Sequence, residues 1–87
     1  MKLIQEASAG TLESSDVYVE VSPAEGLSVE IESVVYAQFA EAIHASVMDV
    51  LHECGVEHAH VHVVDRGALD CVLRARVETA LLRGGEE

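Results

Sequence analysis

Three stretches of this chain alternate apolar and polar residues with a period of two, a pattern that an all-helical fold has no use for. They are "DVYVEVS" at 16–22, "LSVEIES" at 27–33 and "HAHVHVVD" at 58–65. Period two sends successive side chains to opposite faces of a strand. Each stretch therefore has one apolar face: Val17, Val19 and Val21 in the first, Leu27, Val29 and Ile31 in the second, Ala59, Val61 and Val63 in the third. The β-branched residues on those faces suit a pleated, half-buried surface. Between the first two stretches "PAEG" supplies Pro23 and Gly26 as turn residues, and the sequence predicts a hairpin there.

From about Val34 the period lengthens. Phe39, Ile43, Val47, Val50, Leu51 and Cys54 recur at three- and four-residue steps and mark the apolar stripe of a helix. Ser33 is placed to cap its start, and Gly55 to take the left-handed conformation after its end. After the turn "DRG", a second helix is predicted over 68–83. Asp70 in its first turn and Arg83 in its last both favour the helix dipole, and Gly84 and Gly85 end it. The order strand, strand, helix, strand, helix predicts an α+β fold, a two-layer sandwich in which a small antiparallel or mixed β-sheet carries both helices on one face. Residues 16–83 make up this single domain. Residues 1–15, rich in Ala, Ser, Thr and Gly, are expected to be an exposed N-terminal arm with a short strand near 3–6 or 10–13, and 84–87 a mobile tail. There is no internal repeat.

A chain of 87 residues buries one modest core. A deep catalytic cleft is hard to build at that size, which favours a carrier, adaptor or small binding module over a self-sufficient enzyme. Sixteen acidic residues against five basic ones give a formal charge of -11. So negative a surface repels phosphate backbones and anionic lipid, and argues against nucleic-acid partners. With 49% hydrophobic residues in clear patterns, the chain is not a disordered acidic tail. No apolar run is long enough for a membrane span, and "MKLIQEASAG" lacks the pattern of a signal peptide. Cys54 and Cys71 lie in different predicted helices without C-x-x-C spacing, which reads as a cytoplasmic protein with reduced thiols.

Several side chains are candidates for chemistry. His58, His60 and His62 share one face of the third strand, a spacing at which neighbouring imidazoles can hold a zinc ion, with Glu20, Glu30 or Glu32 across the sheet. The same pattern describes an ordinary solvent-facing strand, and structural zinc sites usually recruit cysteine, which neither Cys54 nor Cys71 is near enough to supply. His44 and His52 fall on the polar side of the first helix and are expected to be solvated. Cys71 reads as a small buried hydrophobe on the second helix, because Asp70 beside it disfavours a thiolate. No set of nucleophile, base and orienting acid can be assembled, and there is no phosphate-cradling glycine loop. Arg74 and Arg76 are candidates for an anionic group or a partner's carboxylates, with intrachain ion pairs the favoured alternative. Ser14 and Ser15 lie in "AGTLESSD" at 9–16. A residue that an enzyme modifies must be exposed and pliable, and a loop beside a rigid strand provides both. A turn whose hydroxyls bond locally has the same sequence pattern.

Two words narrow the choice. "AGTLESSDV" at 9–17 and "DRGALDCVLRARVE" at 65–78, supported by "QFAEAI" and "DVL" in the first helix, resemble the acyl carrier (gamma) subunit family of bacterial citrate lyase, over nearly the whole chain. The resemblance implies a non-catalytic carrier subunit of a citrate (pro-3S)-lyase complex. It implies that Ser14 holds a 2'-(5''-phosphoribosyl)-3'-dephospho-CoA group through a phosphodiester, whose terminal thiol carries acetyl and then citryl. The implied partners are an alpha (transferase) subunit that exchanges acetyl for citrate and a beta (lyase) subunit that cleaves the citryl thioester to oxaloacetate. A prosthetic-group transferase and an acetate ligase act during maturation. On this reading Arg74 and Arg76 are candidate contacts for the group's phosphates, and the negative surface suits basic patches on the larger subunits.

The alternatives differ in class. A fatty-acid or polyketide carrier matches in size and acidity, but is a helical bundle whose serine follows Asp at a helix start; here the serine follows Glu13 and leads into a strand. The carriers of citramalate lyase and malonate decarboxylase are nearer, and "GALDC" and "LRAR" favour the citrate system over the latter. A metal-binding or structural adaptor would use His58, His60 and His62 and leave the serines unmodified.

Overall fold

The alternating stretches are strands, but they stand in a different order from the one their turns suggest. A computed structural model describes residues 1–34 and 36–86, with all of their side chains except those of 36–38. The elements are β1 (Lys2–Leu3), β2 (Ala7–Gly10), β3 (Val17–Ser22), β4 (Leu27–Ser33), α1 (Tyr36–Glu53), β5 (Ala59–Asp65), α2 (Asp70–Gly84) and β6 (Gly85–Glu86). Four strands form one sheet in the order β2-β3-β5-β4, antiparallel except for the parallel pair β4 and β5. Helix α1 packs on β4, α2 packs on β2 and β3, and the two helices pack against each other. The fold is the expected α+β sandwich with a mixed sheet and both helices on one face.

The expected hairpin is not formed: β5 lies between β3 and β4, and each pairs with it. The loop 23–26 still joins β3 to β4, because four residues easily cross two strand spacings of about 5 Å each. It is held over the end of β5, where the Ala59 N–H donates to the Gly26 carbonyl at 2.9 Å. The helix between β4 and β5 explains their parallel pairing, since a crossover helix returns the chain to the starting edge of the sheet. Composition explains the order. Ala59, Val61 and Val63 are fully buried on β5. On β4, Val29 and Ile31 are half-buried and Glu30 and Glu32 are exposed, which suits an edge strand.

The core lies between sheet and helices. Val17, Val19 and Val21 from β3 and Ala59, Val61 and Val63 from β5 meet Ile43, Val47, Val50 and Leu51 from α1 and Leu73, Val77, Ala80 and Leu81 from α2. Ser33 ends β4, and its Oγ donates to Asp65 Oδ2 at 2.7 Å. Two helix expectations need correction. Phe39 belongs to the apolar stripe by spacing but is 49% exposed, lining an open hollow with Leu69 and Leu73 instead of packing into the core. Cys71 is exposed on the first turn of α2, whereas Cys54 is partly buried.

The N-terminal segment is exposed at residues 2, 4–6 and 11–15 but is anchored between them. Leu3 and Ala9 are buried, and β2 pairs with β3 along its whole length. The short segment β1 pairs with β6, Lys2 opposite Glu86 and Leu3 opposite Gly85. The residues after the helix are therefore paired rather than a free tail as far as Glu86, and Glu87 lies outside the described residues. Gly85 is required there: a Cβ would sit 2.7 Å from Met1 Sδ and 2.8 Å from the Leu81 carbonyl oxygen.

Leu81 is 0% exposed and Leu82, next to it, 56%. Leu81→Ala is expected to lower stability by about 2–4 kcal/mol in denaturant titrations, and Leu82→Ala to stay within about 0.5 kcal/mol of the parent.

Candidate attachment site

The loop between β2 and β3, residues 11–16, carries both candidate serines. Gly10 opens it. Its φ is +95°, and a Cβ there would lie 1.8 Å from the Val17 carbonyl oxygen, so only glycine allows the two strands to close this tightly. The Thr11 N–H donates to that same carbonyl at 3.2 Å. Glu13, Ser14, Ser15 and Asp16 then make a β-turn closed by the Asp16 N–H on the Glu13 carbonyl at 3.1 Å. Ser15, third in the turn, has φ +67°, the left-handed value a type II turn demands at that place.

Asp16 organises the loop through four hydrogen bonds. Its Oδ2 accepts from Thr11 Oγ1 at 2.7 Å and Arg76 Nη2 at 3.0 Å; its Oδ1 accepts from the Val17 N–H at 2.7 Å and Arg76 Nε at 3.2 Å. The Thr11 hydroxyl, the Val17 N–H and the Arg76 guanidinium together hold the carboxyl down at a pKa of about 2. A second clasp comes from the loop before α2. The Ser15 N–H donates to the Arg66 carbonyl at 2.8 Å, and the Arg66 N–H donates to the Asp16 carbonyl at 2.9 Å. Within this frame Ser14 is exposed, and its hydroxyl has no partner among the described residues. Ser15 differs, since its backbone is pinned by the Arg66 bond and by its left-handed conformation.

The two candidate arginines are both engaged within the chain. Arg76 makes the paired contact with Asp16. Arg74 lies 2.8 Å from Asp70, 3.0 Å from Asp49 and 3.8 Å from Glu53, which ties α2 to α1, and the first two carboxylates, Asp70 foremost, hold its proton more firmly than usual. Ser46, buried on α1, donates to Asp70; that bond and the Arg74 contact depress the Asp70 pKa. Burial, with Glu78 and Glu53 nearby, pushes the Cys54 thiol up, away from thiolate reactivity.

The histidines point to the uncovered face of the sheet, each with its own partner. His58 precedes β5, and its Nδ1 accepts from the Gly26 N–H at 2.9 Å. His60 meets Ser28 Oγ and lies 3.3 Å from Glu30. His62 donates to Glu32 at 3.0 Å. Among the described residues no three His, Cys, Asp or Glu side chains converge to hold a metal ion. The sequence reading missed Gly10, Thr11, Asp16 and Arg66 as the scaffold of the serine loop. A Thr and an Asp five residues apart around a Gly-started turn were the available signal for the first three.

A profile of the family described as Malonate decarboxylase delta subunit (MdcD) matches residues 4–84. A citrate lyase acyl carrier protein of Haemophilus influenzae (strain PittEE) is 54% identical over 87 residues, covering 100% of this chain and 92% of the relative. One from Serratia proteamaculans (strain 568) is 58% identical over 85 residues, covering 95% and 83%. The chain belongs to the citrate lyase acyl carrier protein family. In fold it is similar to a chain in the crystal structure of a Pseudomonas malonate decarboxylase hetero-tetramer in complex with malonate, with a TM-score of 0.77 at 23% identity over 93% of this chain and 84% of that one. A four-stranded sheet is incompatible with the helical bundle of fatty-acid carriers, which removes that alternative.

The depressed pKa of Asp16 has a testable sign. The carboxyl is more acidic in the folded chain than its ordinary value of 3.8, so its stabilisation is present above about pH 4 and lost as pH falls toward 2. Asp16→Asn is expected to melt below the parent at neutral pH, and the two melting curves to converge as pH drops through that window.

Proposed function

We propose that this chain is the acyl carrier subunit of a citrate lyase complex, with Ser14 the residue that takes a 2'-(5''-phosphoribosyl)-3'-dephospho-CoA group through a phosphodiester. The observation that carries this reading is the exposed, unbonded Ser14 hydroxyl at the tip of a turn whose two ends are fixed. A transferase can reach that hydroxyl, and no hydrogen bond must break first. The donor set fits the group: a primary hydroxyl with no partner among the described residues, a loop whose residues 11–15 are all exposed, and arginines on the neighbouring elements. When bound, the group supplies a terminal thiol on which acyl groups travel as thioesters.

The chain's own residues position and present. Gly10 and Asp16 fix where the loop leaves the sheet, and Arg76 locks Asp16. The domain measures 33 × 21 × 18 Å, one sheet and one helix layer thick, with too little depth to enclose a substrate of its own. It is non-catalytic alone and works by being handed between larger subunits: an alpha subunit that transfers citrate and a beta subunit that cleaves it. A formal charge of -11 steers it toward basic patches on them. Arg74 and Arg76 serve first as structural ion pairs, and contacts with the group's phosphates are the second role we assign them. We place the protein in the cytoplasm, where both free cysteines stay reduced. Among the described residues no helix is long and apolar enough to cross a membrane.

A carrier of the malonate decarboxylase type is the second reading, favoured by the matched profile and the similar fold. Co-purification separates the two by which enzyme subunits come down with the chain.

Mass spectrometry of the chain, co-produced with its transferase and acetate ligase, is expected to show the adduct on Ser14 and none in Ser14→Ala. An adduct on Ser15, or a phosphopantetheine mass, would overturn the assignment. Ser15→Gly is expected to remain loaded and to gain about 0.5–1 kcal/mol, because glycine relieves the left-handed strain.

A further inference from the structure

Four arginines stand between residues 66 and 83, and three have their guanidinium groups engaged. Arg74 holds Asp70 and Asp49, Arg76 holds Asp16, and Arg83 Nη1 donates to the Ser8 carbonyl at 2.8 Å. Arg66 differs. Its backbone is bonded on both sides into the serine loop, through Ser15 and Asp16, yet its exposed side chain has no hydrogen bond or ion pair among the described residues. The fold has fixed the Arg66 backbone beside the loop, one residue from Ser14, and left its cation free.

Charge gives that placement a purpose. Glu13, next to Ser14, is exposed, while Asp16 is already neutralised by Arg76. A phosphodiester on Ser14 would add a negative charge beside Glu13, in a chain already at -11. Like charges on adjacent residues repel, and more strongly against a low-dielectric surface than in open water. Arg66 is the cation placed to offset this, and a guanidinium presents the forked donor pair that phosphate oxygens accept best.

We propose that Arg66 is the anion-binding side chain of the attachment loop, its guanidinium pairing with the phosphodiester oxygens of the group carried on Ser14. This rests on the carrier reading above. The test compares loaded wild type, Arg66→Gln and Arg66→Lys by phosphorus NMR and by the arginine Nε–H signals. The Arg66 Nε–H signal is expected to shift and sharpen on loading of the wild type. The phosphodiester resonance should move in Arg66→Gln and move less in Arg66→Lys, which keeps the charge without the fork. The initial loading rate of Arg66→Gln should fall roughly tenfold. All three proteins should melt alike, since the side chain has no folded-state partner to lose. An Arg66 signal indifferent to loading, with an unchanged phosphodiester resonance in Arg66→Gln, would overturn the proposal. A wild-type chain that takes no adduct on Ser14 overturns the carrier reading and this proposal together, and the mass spectrum shows that before any variant is made.

Discussion

The Asp16 carboxylate is the constraint on which the serine loop depends. An ionised carboxylate offers about four lone-pair positions, and here all four are filled, by a threonine hydroxyl, a backbone N–H and two guanidinium nitrogens. Each donor comes from a different place: Thr11 from the loop start, Val17 from the first residue of β3, and Arg76 from α2, sixty residues away. The carboxylate therefore joins the end of the sheet to the helix that covers it. Because every acceptor position is used inside the chain, Asp16 adds little repulsion to an anion placed nearby. The residues between Thr11 and Asp16 are left to arch outward, and Ser14 is at the top of that arch.

Positive charge is scarce in this protein and is used locally. Arg74 gathers acids from both helices into one cluster, and Arg76 and Arg83 tie α2 to the β2–β3 side of the sheet. Such exposed pairs are individually weak, but they fix which carboxylates are neutralised and which remain to set the surface potential. The unneutralised ones include Glu13 on the loop, so the approach to Ser14 is negative except for Arg66. That surface is unfavourable to anions, with one local exception at Arg66.

The layers were legible in the sequence and the strand order was not. Alternation assigned Val17, Val19, Val21, Ala59, Val61 and Val63 to the buried face, because burial has the period of the strand. Alternation says nothing of which strand neighbours which. "PAEG" looks like a hairpin turn by composition, yet a four-residue connection spans an intervening strand as well as it reverses into an adjacent one. The better signal was the helix between the second and third strands, which implies a parallel crossover. At the candidate site, the expectation of Ser14 rests on a resemblance between whole words of sequence. The reasons it is presented as it is, Gly10 at φ +95° and the Asp16 network, depend on contacts across the chain that spacing does not encode. Arg74 and Arg76 drew attention as rare cations. Arg66 is equally rare, and what sets it apart, a side chain with no hydrogen bond or ion pair among the described residues, is a property of the fold and not of the sequence pattern.

The histidines on β5 follow from the same strand order. Once β5 is central, its polar face lies between two acidic strands: His62 is in register with Glu20 on one side and Glu30 on the other, and His60 with Ser22 and Ser28. An acid at position 62 would set like charges directly across from Glu20 and Glu30 on the neighbouring strands, which destabilises a sheet. A lysine or arginine would offset them, but would bring a full positive charge to a face otherwise free of it. Imidazole accepts and donates without requiring a charge, and it reaches diagonally to Glu30 and Glu32. Those contacts hold the carboxylates of an edge strand that would otherwise repel one another, while the exposed acids keep that edge from pairing with a second chain. A histidine-rich strand that reads as a metal site by spacing is thus what an acidic sheet needs at its centre.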